Sequence, residues 1–209
     1  MRVVGIDGTR GGWVGIELDD GRFVRDHLLR PETTDFRDFR GAAVLTVDIP
    51  IGFGPRRADT AARAFLSGAA STVFTTPSRD VLTRRFGPGL GVSAQAHALG
   101  SRVLHVTALA EHDARIHEAH PEVSFRAMNG GVALGHRKKS AGGALERVEL
   151  LRANGIELHG LDAAAAVPVD DVLDAAACAW TAQRIAIGEA RALPDPPELI
   201  DGRRIAIWY

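Results

Sequence analysis

Cysteine is almost missing from this chain. Cys178 is one residue in 209, which excludes an internal disulfide framework and a cysteine-built zinc site and suits a reducing compartment. An excess of one charge is missing too. Lys and Arg number 25 against 26 Asp and Glu, a net charge of -1, so nothing in bulk pulls the chain toward nucleic acid or an anionic membrane. Any polyanion must be met by a local patch. No apolar stretch reaches the roughly 18 residues that span a bilayer, and no basic segment leads into an apolar run at the start. We therefore expect a cytoplasmic protein with no membrane partner. His105, His112, His117 and His120 lie close together but lack the spacing of zinc motifs. What remains, 45% hydrophobic and 24% charged residues, is ordinary for one globular domain over residues 1–209.

The most informative stretch is the first sixteen residues, M-R-V-V-G-I-D-G-T-R-G-G-W-V-G-I. A β-rich run, Val3, Val4 and Ile6, delivers Asp7 to a strand end; Gly8, Thr9, Arg10, Gly11 and Gly12 supply a tight turn; Trp13, Val14 and Ile16 resume a strand. Such a hairpin has two chemical uses. Its acid can hold Mg²⁺, or its turn, with Thr9 and Arg10, can cradle phosphates. A third reading is purely structural, with Asp7 accepting the N–H groups of the turn.

Farther along, the alternation predicts strands over Val3–Asp7, Trp13–Leu18 and Arg22–Leu29, then a short helix within Pro31–Arg40 and an apolar strand over Ala43–Ile49. Asp48 thus stands, like Asp7, at the carboxyl end of a hydrophobic strand, where sites are assembled in sheets flanked by helices. Residues 54–120 read as an elaborated region: a helix from Asp59 to Leu66, a hydroxyl-rich loop at Ser71–Arg79, and a long amphipathic helix from Ser93 to about His117. Arg79 and the arginines around it suit phosphate contacts. Glu122–Met128 alternates as a fifth strand, and the basic run His136–Ser140 brings Lys138 or Lys139 within reach of a phosphate. A helix then ends at Asn154-Gly155, and Asp170–Trp180 opens the last helix, with Asp171 and Asp174 on one face. Pro194, Pro196 and Pro197 mark a linker, and Arg203–Trp208 reads as an edge strand.

The order of strands and helices, an acid on the first strand, one after the fourth and a D-x-x-D pair in the last helix together resemble the ribonuclease H-like superfamily. G-I-D-G-T-R-G-G-W, V-D-I-P-I-G-F, S-T-V-F-T-T-P-S-R, H-P-E-V-S-F and D-D-V-L-D-A-A-A-C-A-W resemble, more narrowly, the DUF429 family of predicted nucleases. That resemblance implies an α/β fold with a mixed five-stranded sheet, helices on both faces and a helical insertion after the fourth strand. It implies two-metal hydrolysis of phosphodiester bonds in nucleic acid or a short oligonucleotide, with Mg²⁺ or Mn²⁺ on Asp7, Asp48, Asp171 and Asp174. Glu122, Lys138 and Lys139 match only the narrower family's motifs. Two alternatives stay open: a binding protein that keeps the fold without turnover, and a phosphotransferase, since G-I-D-G-T-R-G-G also resembles the phosphate hairpin of actin- and hexokinase-type ATPases.

Overall fold

The computed structural model describes residues 1–30, 35–200 and 202–209. Strands β1 (Arg2–Thr9), β2 (Gly12–Asp19) and β3 (Arg22–Leu29) form the expected antiparallel meander. The second turn explains itself: Asp20 and Gly21 both take positive φ, 48° and 78°, which matches the right-handed twist of the strands it joins. β4 (Val44–Val47) lies parallel to β1, and β5 (Ile116–Ala119) lies parallel to β4. Beyond β5 the sheet continues with a hairpin of β6 (Ala192–Ile200) and β7 (Arg203–Trp208), giving the order β3-β2-β1-β4-β5-β7-β6.

Seven helices among the described residues accompany this mixed seven-stranded sheet: α1 (Arg57–Leu66), α2 (Arg79–Thr83), α3 (Ala94–Ala98), α4 (Gly100–His112), α5 (Pro121–Met128), α6 (Ala141–Ala153) and α7 (Val169–Ala186). Strand side chains alternate between faces, and each face has its own core. Val4, Ile6, Leu45 and Val47 pack with Ala58, Ala62, Val103 and Val106 of α1 and α4. Val3, Val14, Ile16 and Val44 pack with Leu151 of α6 and with Leu173, Ala175, Ala176, Ala177 and Ala179 of α7.

The contact of α7 with the sheet is unusually close because the residues there are small. A Cβ on Gly5 would lie 1.9 Å from the backbone nitrogen of Ala179, and the Thr46 hydroxyl donates to the Cys178 carbonyl at 2.6 Å. Ala175, Ala176, Ala177 and Ala179 are fully buried in that seam. The glycine is required there by approach, since any side chain would push the helix off the strand.

Several expectations change. The sheet has seven strands rather than five. The fifth is Ile116–Ala119, which overlaps the end of the long helix expected to about His117, while Glu122–Met128 belongs to α5. Pro121 starts that helix, whose first position needs no N–H. The helix expected from Ser93 to His117 is two, α3 and α4. The proline-rich 192–200 segment is an edge strand, where missing N–H groups are tolerated, so Arg203–Trp208 is interior to the sheet. Of the helix expected within Pro31–Arg40, residues 31–34 lie outside the described residues and the remainder holds a single 3₁₀ turn, Arg37–Phe39. Among the described residues, no helix is long and apolar enough to cross a membrane.

Candidate functional site

Register brings the first two acids together. In the parallel pairing of β1 with β4, Gly5 lies beside Thr46 and Ile6 beside Val47, and the Asp48 N–H continues the ladder by donating to the Ile6 carbonyl at 2.9 Å. Asp7 and Asp48 therefore share the face of Gly5 and Thr46, which is the face covered by α7. On α7, Asp174 stands one turn before Cys178, whose carbonyl takes the Thr46 hydroxyl. The seam that seats the helix thus also sets the third acid. Asp7, Asp48 and Asp174 offer carboxylate oxygens that all lie within 4.8 Å of one another.

These acids floor a cleft of about 320 Å³ at the carboxyl ends of the strands. Asp7 and Asp174 are buried and Asp48 is half-buried. One Asp7 oxygen accepts the N–H of Gly8, the next residue of β1, at 2.6 Å, rather than the N–H groups of the hairpin turn at Arg10 and Gly11. The Lys138 ammonium donates to Asp174 Oδ2 at 2.7 Å, whereas Asp174 Oδ1 is buried with no hydrogen-bond partner. Burial raises the Asp7 carboxyl well above its usual range, and Asp48, Asp174 and Asp171 add to it by repulsion. Burial likewise lifts Asp48 and Asp174 to about 7, although Lys138 pulls both down. Burial opposes the charge of Lys138 itself, yet Asp174, Asp48 and Asp7 outweigh it and hold the ammonium above its ordinary value.

An unpartnered buried carboxylate oxygen costs free energy, and so does crowding of like charges. Both costs fall when a hard cation accepts the free oxygens, and Mg²⁺ and Mn²⁺ prefer such oxygen ligands. The donor set therefore fits a divalent ion.

The remaining residues expected at the site are placed as follows. Asp171 adds to the field at Asp7 but is not one of the three acids of the cluster. Glu122 lines the cleft and is held by Arg147 at 2.7 Å. Lys138 lines the cleft; Lys139 does not, and is exposed with its ammonium 3.9 Å from Asp170. Thr9 is buried in the sheet and Arg10 is exposed at the hairpin tip, while Arg79 lies over the Phe53 ring; none of these three lines the cleft.

Sequence reasoning missed several cleft residues. Arg102 of α4 reaches across to donate to the Thr9 and Gly12 carbonyls at 2.7 and 3.1 Å, with its guanidinium 4.9 Å from the Trp13 ring centre. Nothing local in the sequence marks it. Arg56 donates to both oxygens of Glu118 and also binds Asp59, all three buried. Glu118 in turn accepts the Ile51 N–H at 2.7 Å, fixing the loop that follows Asp48. An Arg three residues before an Asp at a helix start was the available signal for this clamp.

No curated protein matches the chain significantly. Among solved structures, that of Thermus thermophilus RuvC aligns with 90% of this chain and 98% of its own, at 14% identity and a TM-score of 0.42. A family model described as "Protein of unknown function (DUF429)" matches residues 5–199, and on that match, which takes in Asp7, Asp48, Lys138 and Asp174, the chain belongs to the DUF429 family.

Proposed function

We propose that this protein is a divalent-metal-dependent phosphodiester hydrolase acting in the cytoplasm on nucleic acid or a short oligonucleotide, with a ribonuclease H-like core formed by its first five strands. The observation that carries this reading is the convergence of Asp7, Asp48 and Asp174 from three separate elements, with Asp174 Oδ1 left unpartnered. A cluster that served only the fold would be closed by protein donors.

When bound, a divalent cation supplies Lewis acidity, which makes a water nucleophilic near neutral pH and neutralises a phosphoryl oxygen. Asp7, Asp48 and Asp174 would hold it. Lys138 and Arg102 place cationic donors in the same cleft, suited to the phosphate oxygens on either side of a scissile bond. The clamp of Arg56 with Glu118 keeps the Asp48 loop from relaxing under the repulsion of its neighbours. With a net charge of -1, long duplexes gain little from the rest of the surface, which favours a short or locally single-stranded substrate. The two-cation form implied by the family resemblance needs ligands beyond these three acids, from Asp171 or Glu122.

The test is cleavage of single-stranded, duplex and branched DNA and RNA with Mg²⁺ or Mn²⁺. Turnover that stops on chelation and falls by about 10³-fold or more in Asp7→Asn is expected. Binding without cleavage, unchanged in Asp7→Asn, would instead identify a binding protein. Phosphoryl transfer from ATP would identify a phosphotransferase.

A further inference from the structure

The hydrolase reading leaves open how many cations the cleft takes, and the side chains around Asp174 bear on that number. Its two oxygens have different fates: Oδ2 is bonded to the Lys138 ammonium at 2.7 Å, and Oδ1 is buried and unpartnered. Glu122, which also lines the cleft, is already held at 2.7 Å by Arg147, which is itself buried and lies over the Phe125 ring. Asp171 is not one of the clustered acids. Ligands for one hard cation are in place, therefore, and the position beside Asp174 Oδ2 is filled by a positive group of the protein.

Lys138 is not a surface lysine that happens to fold inward. Its backbone is mounted on the start of α6: the Ser140 N–H and hydroxyl donate to the Arg137 carbonyl at 2.9 and 2.8 Å, and the Ser140 hydroxyl accepts the Gly143 N–H at 3.1 Å. A Cβ on Gly143 would fall 2.0 Å from the Arg137 carbonyl oxygen and 3.2 Å from the Lys138 Cα, so the turn is seated directly on the helix. The neighbouring Lys139 faces solvent with 80% of its side chain exposed, while 38% of the Lys138 side chain is exposed.

We propose that this cleft takes one divalent cation, and that the Lys138 ammonium is its second positive centre, occupying Asp174 Oδ2 while Asp174 Oδ1, Asp7 and Asp48 serve the cation. Three carboxylates are then balanced by one doubly and one singly charged group. Toward a phosphodiester, the ammonium neutralises a phosphoryl or departing oxygen while keeping its proton, the part a second metal ion plays in two-cation sites. The proposal rests on the hydrolase reading.

Counting Mn²⁺ bound per chain by equilibrium dialysis, with EPR as the readout, tests it apart from activity. Wild type is expected to bind one Mn²⁺. Lys138→Met, confirmed as folded by its thermal melt, is expected to bind that ion about tenfold more tightly, because the competing charge is gone, while losing about a hundredfold or more in hydrolysis. Lys138→Arg keeps the charge, so its Mn²⁺ affinity should stay near wild type. Two Mn²⁺ per wild-type chain, or unchanged or weaker binding by Lys138→Met, would overturn the proposal and leave the hydrolase reading standing. No Mn²⁺ on wild type would sink both.

Discussion

Glu118 and Asp59 share the guanidinium of Arg56, and the pair is closed further by the Ile51 and Thr76 N–H groups. Asp7, Asp48 and Asp174 line the same cleft, where, among the described residues, the Lys138 ammonium donates to Asp174 and the Gly8 N–H to Asp7. By strand alternation the two groups lie on opposite faces of one sheet: Glu118 shares the face of Ile116, in the α1 and α4 core, and the three aspartates share the face of α7. Burial of charge is therefore common to both and diagnostic of neither. What separates a structural cluster from a candidate ligand set is whether the protein completes it. Around Arg56 the protein's own donors close the set; around Asp174 an oxygen is left over.

Cutting the closed cluster should cost most. Arg56→Met strands two buried carboxylates, and a loss of about 3–5 kcal/mol in urea unfolding is expected. A small loss would mean that water or neighbouring groups already satisfy Glu118 and Asp59, and the contrast would fail.

The open cluster should instead respond to pH. Asp48 and Asp174 have folded values of about 7 against an ordinary 3.8, so the fold favours their neutral forms. That contribution is complete below the ordinary value and is lost as pH rises through about 7. In the presence of a chelator, Tm should fall by roughly 5 °C between pH 5 and pH 8. Millimolar Mg²⁺ or Mn²⁺ should recover most of that loss at pH 8 and little at pH 5, where protons compete for the same oxygens. A chelated protein whose Tm rises over this interval would show that the three acids do not burden the fold.

Smallest and opposite in sign to the first, Asp48→Asn should raise the chelated Tm at pH 8 by about 2–4 °C, corresponding to about 1 kcal/mol of relieved repulsion. The gain should vanish at pH 5, where Asp48 is already protonated. A melt at each pH decides it, and a loss of stability at pH 8 would place Asp48 with the structural acids.

Much of the open cluster was legible in the sequence, and little of the closed one. Asp7 and Asp48 end runs whose hydrophobicity marks them as strands, so their positions at one edge follow from pattern alone. Asp174 was legible only as one of a pair with Asp171, because the choice depends on which side of α7 meets Gly5 and Thr46. β5 is hard to detect because it is four residues long and carries a buried Glu118 that Arg56 and the Ile51 N–H make tolerable. α5 was misread because eight residues with Val123 and Phe125 inward fit a strand as well as a helix. Arg102 reaches the site across 93 positions of chain, and no local pattern encodes such a contact.

The seam between α7 and β1 also bears on when the site comes into being. Asp7 and Asp48 are made early in synthesis, while Asp174 and the alanines that dock it belong to the last helix. Contacts so distant along the chain form late, after the loops between them have closed. A chain synthesised short of α7 holds Asp7 and Asp48 without Asp174, and Lys138, though already made, then lacks the carboxylate it is bonded to, so the cleft is not assembled. Readiness of the site is in this sense a report on completion of the fold.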